Sequence, residues 1–211
     1  MSKPEEITVA VVYHSGYGHT AKVAEAVARG AEGYGNTKSI LIRVEDADQY
    51  WDQLAQADAI IFGAPTYMGS VSAEFKTFMD LSCKQVFMSR AWANKVAAGF
   101  TNSGSRSGDK LFSLQQIFIY TAQLQMHWVN LGLMSGHTSS TSTEDTLNRH
   151  GYFIGLGTQS DVDSPPEIAP PPADLKTAEH LGARVARVAL ELKLGRKALE
   201  EKEEYRPLIA S

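Results

Sequence analysis

Residues 7–13, "ITVAVVY", form an unbroken run of β-branched and apolar side chains. A strand with one wet face alternates polar and apolar residues, so a continuous run fits a strand buried on both faces. A short loop, "HSGYGHT", follows it. Residues 20–33 then place Val23, Ala24, Val27, Ala28 and Ala31 at helical spacing, ending at Gly33 and Gly35. A doubly buried strand that runs through a glycine-containing loop into a helix is the first half of a parallel β-α-β unit.

The same grammar recurs. "KSILIRV" (38–44) reads as a second strand, and 50–56 as a short helix or turn. "ADAIIFGAPTYMGSVS" (57–72) is a third strand entering a Gly/Pro loop. Residues 73–82 form a helix with Phe75, Phe78, Met79 and Ser82 on one face. "KVAAGFTNSGSRSGDK" (95–110) is a strand and a Gly/Ser loop, with a helix to about 125. "HWVNLG" (127–132) reads as a fifth strand. Residues 133–150 are expected to be a surface excursion, and the Pro-rich stretch 164–172 a rigid connector. The last helix is expected at about 174–193, followed by a loose charged tail over 195–211. Alternating strands and helices predict an α/β fold in one domain, a doubly wound parallel sheet of order 2-1-3-4-5 with right-handed crossovers.

Composition narrows the function classes. With 211 residues and a formal charge of -4, the chain offers no electrostatic case for nucleic acid or an anionic membrane. One cysteine, Cys83, excludes an intramolecular disulfide and a cysteine-rich metal site. It is expected to pack beside a helix as a small apolar residue. The N-terminal stretch carries no signal-peptide pattern and no membrane span, which predicts a cytoplasmic protein.

The loop after the first strand holds Ser15, Gly16, Tyr17, Gly18, His19 and Thr20. Backbone N–H groups and the positive end of a helix converge there, which suits phosphate. The two glycines allow close approach, and Ser15 and Thr20 add hydroxyls, so an anion is held without Lys or Arg. Gly16 and Gly18 with Ala21 also fit a dinucleotide fingerprint, and Glu45 or Asp46 follows the second strand. The flanking hydroxyls favour a terminal monophosphate over a pyrophosphate. The Gly-Lys-Ser/Thr ending of a P-loop is absent. His14 and His19 read as packing or hydrogen-bonding residues, since no third metal ligand stands at a recognisable spacing.

In the predicted strand order the ends of strands one, three and four meet at one edge. Two further unusual loops lie there: Pro65, Thr66, Tyr67, Met68 and Gly69, then Thr101, Asn102, Ser103, Gly104, Ser105, Arg106 and Ser107. Together they supply backbone donors, hydroxyls and flat side chains, as a flavin ring requires.

"YHSGYGHT", "IIFGAPTYMGSVSAEFKTFMD" and "GFTNSGSRSG" resemble the flavodoxin-fold NAD(P)H:quinone oxidoreductases of the WrbA type, over nearly the whole chain. The resemblance implies a flavodoxin-like five-stranded sheet, FMN, two-electron transfer from NADH or NADPH to a quinone or similar acceptor, and a homo-oligomer, dimer or tetramer. It implies that residues 15–20 hold the FMN phosphate, Thr66, Tyr67 and Met68 lie against the isoalloxazine, and residues 101–107 contact the ribityl chain and ring. Tyr17 would stand where the nicotinamide nucleotide approaches. Where the family has a histidine before strand five, this chain has Leu124 and Gln125, with His127 shifted. The family's pocket tryptophan falls near Val86 and Phe87, which makes Phe87 and the neighbouring Trp92 the candidates to line the substrate pocket. A flavodoxin-type electron carrier without nicotinamide turnover is the alternative.

Overall fold

The computed structural model describes residues 5–202. Strands β1 (Ile7–Tyr13), β2 (Thr37–Arg43), β3 (Ala59–Tyr67), β4 (Ser70–Val71), β5 (Val96–Ser103), β6 (His127–Trp128) and β7 (Leu156–Gln159) alternate with helices α1 (His19–Glu32), α2 (Trp51–Gln56), α3 (Ala73–Ser82), α4 (Lys110–Gln123) and α5 (Pro172–Glu201). The parallel sheet runs β2-β1-β3-β5-β6, which is the expected 2-1-3-4-5 order once the small β4 is set aside. In register, Val9 pairs with Ala59, and Ala59 with Val96.

Each strand supplies two cores because successive side chains point to opposite faces. Ile7, Val9 and Val11 of β1 join Ile61, Ala98 and Phe100 beneath α1 and α5. Ala10 and Val12 join Ile60, Phe62 and Ala97 beneath α3 and α4. This explains the uninterrupted apolar run of β1, whose residues 9–12 are all fully buried. β2, at the sheet edge, is only partly covered.

The second core is aromatic. Trp92 is 0% exposed and stands with its ring centroid 5.9 Å from that of Phe62 and 6.4 Å from that of Phe78. It is therefore a core residue, and the expectation that it lines a substrate pocket is overturned. A rigid bicyclic side chain of that size fills the space between the sheet and the α2–α3 layer.

The fifth strand position departs from expectation. Only His127–Trp128 of the expected 127–132 strand pair with β5, opposite Val96 and Ala97. The chain then leaves the sheet and returns as β7, which pairs with residues 100–103 of the same strand. The excursion thus interrupts one strand position. It is larger than the expected 133–150, spanning residues 129–155. β4 was not expected either: Met68 and Gly69, at φ 48° and 79°, make a two-residue turn that folds Ser70–Val71 back on the end of β3.

The C-terminal helix continues to Glu201, so the first part of the expected loose tail is ordered. Arg196 donates to the Asn94 carbonyl, and Lys197 lies 3.5 Å from Glu5. The rest of that tail, 203–211, lies outside the described residues. Cys83 is exposed rather than packed, at the first residue of a one-turn π-helical extension of α3 (Cys83–Phe87).

Helices α1 and α5 meet through glycines. A Cβ on Gly182 would stand 1.9 Å from the Val27 carbonyl oxygen, and one on Gly30 would stand 1.9 Å from that of Glu179. Alanine gains roughly 1 kcal/mol of helix propensity over glycine, but backbone on both sides leaves nothing able to yield. Gly182→Ala is therefore expected to destabilise the fold by about 1–3 kcal/mol. A urea titration followed by circular dichroism checks this, and an unchanged or higher midpoint would contradict it.

Candidate cofactor site

All three expected loops reach the carboxyl edge of the sheet, and a fourth joins them. A cavity of about 370 Å³ lies between them, lined by Tyr17, His19, Thr20, Pro65, Thr66, Tyr67, Asn102, Ser103, Gly104, Ser160 and Val162.

The first loop is built by Gly18, which turns the chain at φ 88° and ψ -26° directly before α1. That left-handed conformation is costly for any residue with a Cβ. Ser15 Oγ accepts from the Ala21 N–H at 3.1 Å, and the Lys22 N–H goes to the Gly18 carbonyl at 3.2 Å. The amides of Tyr17, Gly18, His19 and Thr20 find no acceptor among the described residues, and the N-cap residue of α1, Gly18, has no side chain to serve them. A row of open amides at a helix start, with the buried Thr20 hydroxyl beside them, has the donor chemistry of a phosphate cradle. The residues present fit a mononucleotide phosphate.

His14 is buried, with Nδ1 2.8 Å from Ser72 Oγ and Nε2 3.6 Å from Glu45. His19 donates from Nε2 to the Ser164 carbonyl at 2.8 Å, because a carbonyl can only accept. Both therefore hydrogen-bond to protein groups, as expected.

The second loop is the β3–β4 hairpin. Met68 is fully exposed at its tip in a left-handed conformation, and Tyr67 stands below it, its ring edge-on to Tyr17 at 6.2 Å. Burial raises the Tyr67 phenol's pKa, and the Gly16 N–H donates to its oxygen. Tyr17 is 78% exposed at the cavity mouth. Ser70 Oγ and the Val71 N–H both donate to Gln116 Oε1 at 3.1 Å, which pins the hairpin to α4.

The third loop divides. Asn102, Ser103 and Gly104 line the cavity. Asn102 Oδ1 accepts from Thr158 Oγ1 at 2.9 Å and Ser160 Oγ at 3.1 Å, which leaves its amide N–H groups for the cavity. Thr101 does not reach the cavity. It is fully buried, its hydroxyl 2.7 Å from Thr66 Oγ1, which in turn donates to Ser113 Oγ. Ser105, Arg106 and Ser107 face outward, with Arg106 2.8 Å from Glu144. The expectation that these four touch the cofactor is corrected accordingly: Thr101 supports Thr66 from behind, and the other three anchor the loop. Phe87 also lies elsewhere, in a groove between α3 and α4 with Met79, Cys83 and Ile119.

The fourth loop carries Ser160 and Val162, which were not anticipated. It continues to Pro166, whose ring would meet a Cβ on Gly18 at 2.6 Å. The connector thus presses on the phosphate loop. The only trace in the sequence is the Gly-Thr-Gln-Ser run 157–160, a strand too short to stand out.

Behind the third and fourth loops lies a buried ionic knot. Arg149 bonds Asp174 at 2.7 Å, His150 Nε2 is 3.2 Å from the same carboxylate, and the Gln159 N–H donates to it at 2.8 Å. Burial pushes the Asp174 carboxyl up, but these bonds outweigh it and hold its pKa below the usual range. Gln159 Nε2 donates to the Gly104 carbonyl and Tyr152 Oη to that of Ser107, so the excursion buttresses the cofactor loop.

A family model for NADPH-dependent FMN reductases matches residues 37–139. Flavodoxin FldP of Pseudomonas aeruginosa is 42% identical over 186 residues, covering 86% of this chain and 96% of its own. A WrbA-like flavodoxin protein of Agrobacterium tumefaciens, 39% identical, superposes with a TM-score of 0.67 over 88% of this chain and 98% of its own. This chain belongs to the WrbA-like flavodoxin family. Quinone-oxidoreductase QR2 of Triphysaria versicolor is 30% identical over 207 residues, covering 88% of this chain and 96% of its own. FMN is the cofactor of the WrbA-like fold.

The ionic knot has a testable cost. Asp174→Asn leaves the Arg149 guanidinium without its buried counter-charge, which typically costs about 3–5 kcal/mol. Because the folded pKa is depressed, this contribution is complete above the ordinary carboxylate value near ~4 and disappears as pH falls through the folded value. Urea unfolding at pH 7 should show the full loss, and the gap between variant and wild type should shrink below about pH 4. A gap independent of pH would contradict the assignment.

Proposed function

We propose that this chain is an FMN-dependent oxidoreductase that transfers two electrons from NADH or NADPH to a quinone or similar small acceptor, acting as one unit in the cytoplasm. The observation that carries the reading is the row of open amides from Tyr17 to Thr20 beside a cavity of about 370 Å³, a size suited to a single mononucleotide. Among the described residues no helix is long and apolar enough to cross a membrane.

The open amides and the Thr20 hydroxyl hold the phosphate with hydrogen bonds alone. Tyr67 and Pro65 form one apolar wall of the cavity, and the Asn102 amide supplies donors from the other side. FMN held by these residues would supply the two-electron redox chemistry between the nicotinamide and the acceptor. Tyr17, 78% exposed, offers a flat face at the mouth for either partner to stack on. One mouth serves both in turn, so ping-pong kinetics are expected.

A homo-oligomer accounts for the outer face of α4. Leu111, Phe112, Phe118 and Ile119 are all substantially exposed there, and Phe87 lines the same groove as Ile119. So much exposed apolar and aromatic surface on one face exceeds what an isolated soluble unit usually carries. A second copy of the chain is the occupant proposed. Phe112→Asp with Ile119→Asp should give a smaller species in analytical ultracentrifugation while FMN stays bound; an unchanged mass would contradict it.

The second reading, an electron carrier, is favoured by one observation: the 42% identical relative is named a flavodoxin. Steady-state oxidation of NADH and NADPH with benzoquinone by FMN-loaded protein separates the two. Turnover of many equivalents per site supports the enzyme, and none supports the carrier. For the cradle itself, Thr20→Val should weaken FMN binding roughly tenfold, the loss of one hydrogen bond to a charged group, with the fold intact. Gly18→Val should abolish binding, because the turn at φ 88° excludes a β-branched side chain. Fluorescence titration of apoprotein with FMN reads both, and unchanged affinity in either would overturn the phosphate assignment.

A further inference from the structure

Lys110 is the one lysine found fully buried among the described residues. Its ammonium donates to two main-chain carbonyls, that of Ser105 at 2.9 Å and that of Thr158 at 2.7 Å. Among the described residues no carboxylate lies within ion-pair distance of it, although Asp174 and Arg149 act on it from further away with opposite sign. It is also the first residue of α4, where the helix dipole disfavours a cation. Burial pulls its pKa down to about 8, so it carries a charge at neutral pH at considerable cost. Two neutral donors would tie the same carbonyls together more cheaply.

The two carbonyls belong to the two segments that wall one side of the cavity. Ser105 follows Gly104, and Thr158 precedes Ser160 by two residues, with Gly104 and Ser160 both lining the cavity. The ammonium thus sits directly behind that wall. A buried cation at a positive helix end, with no carboxylate within ion-pair distance among the described residues and Asp174 offset by Arg149, favours any further anion that comes near it. The phosphate is served by the α1 cradle on the first loop. The remaining negative charge is transient: taking up two electrons with one proton leaves FMN one unit more negative than its oxidised form.

We propose that Lys110 is a positioning residue for the cofactor, clasping the third and fourth loops together and placing behind their wall the positive charge that favours reduced over oxidised FMN. This rests on the reading of the cavity as the FMN site. The clasp sets the shape of the wall, and the charge sets the balance between the two redox states. Lys110 itself touches neither cofactor nor substrate.

The test compares wild type with Lys110→Met, which removes donors and charge, and Lys110→Gln, which keeps a donor and removes the charge. FMN is titrated into each apoprotein by fluorescence quenching, and the midpoint potential of each loaded protein is measured against reference dyes. Lys110→Met should bind oxidised FMN at least tenfold more weakly, and Lys110→Gln should recover most of that loss. In both, the ratio of affinities for reduced and oxidised FMN should fall at least tenfold, a midpoint potential about 30 mV more negative for a two-electron couple. Should Lys110→Met not fold, Lys110→Gln carries the test alone. Either variant folded with the wild-type potential overturns the inference, even if its FMN affinity is reduced, since a merely structural lysine would give that result. Wild-type apoprotein that takes up no FMN would instead overturn the reading of the cavity, and the inference with it.

Discussion

The left-handed turn at Gly18 is the constraint on which the site depends. A chain leaving a central parallel strand must reverse direction into a helix on one face of the sheet, and the shortest route leaves the first-turn amides without intrahelical partners. At φ 88° Gly18 turns the chain straight into α1, and the amides from Tyr17 to Thr20 are left open. Ser15 then spends its hydroxyl on the Ala21 N–H and caps the helix from outside the row, so the inner donors remain free. The Pro166 ring, packed where a Cβ on residue 18 would be, closes the outer side of the turn. A glycine is thus required twice over at this position, once by the backbone angle and once by its neighbour.

The sheet positions and the helices α1 and α3 were legible because each is decided locally. β1 is continuous and apolar because it is covered on both faces, and Ala73–Ser82 places Phe75 and Phe78 on one stripe. The three glycine-containing loops were legible for the same reason, since the left-handed turns at Gly18 and Gly69 announce themselves by residue type. What escaped was non-local. The fifth strand position is made of two pieces separated by residues 129–155, and the four residues of β7 acquire strand character only by pairing with β5. Ser160, Val162 and Pro166 reach the cavity only because that return places them there.

Residue roles that depend on depth were equally hidden. Trp92 and Phe87 lie five positions apart, yet one is sealed in the aromatic core and the other lies on an open groove. Aligning a pocket tryptophan by sequence position cannot tell those apart, because both types suit either environment. Thr101 looked like a ligand by virtue of its loop, but its hydroxyl belongs to a buried chain through Thr66 to Ser113. Lys110 has no distinguishing mark in the sequence, where it ends a Gly/Ser loop with Gly108 and Asp109 beside it. Only the fold shows that two successive left-handed residues, at φ 53° and 57°, turn the chain so that Lys110 points inward.

These placements separate two electrostatic tasks. The phosphate of a mononucleotide is a permanent anion, present in every redox state, and amides at a helix start offset it without adding a net charge. The charge on the flavin ring comes and goes with each turnover, and a cation close to it alters the reduction equilibrium as well as binding. A lysine placed in the phosphate cradle would tighten binding of both redox states alike. Behind the wall formed by the third and fourth loops, the same charge discriminates between them, and the low local dielectric strengthens that discrimination. The excursion through residues 129–155 then has a physical purpose. Arg149, His150 and Asp174 hold Gln159 and Gly104 against each other, so the two segments that Lys110 bridges are fixed from outside as well as from within. A buried ammonium in a wall free to relax would draw in water and lose its effect.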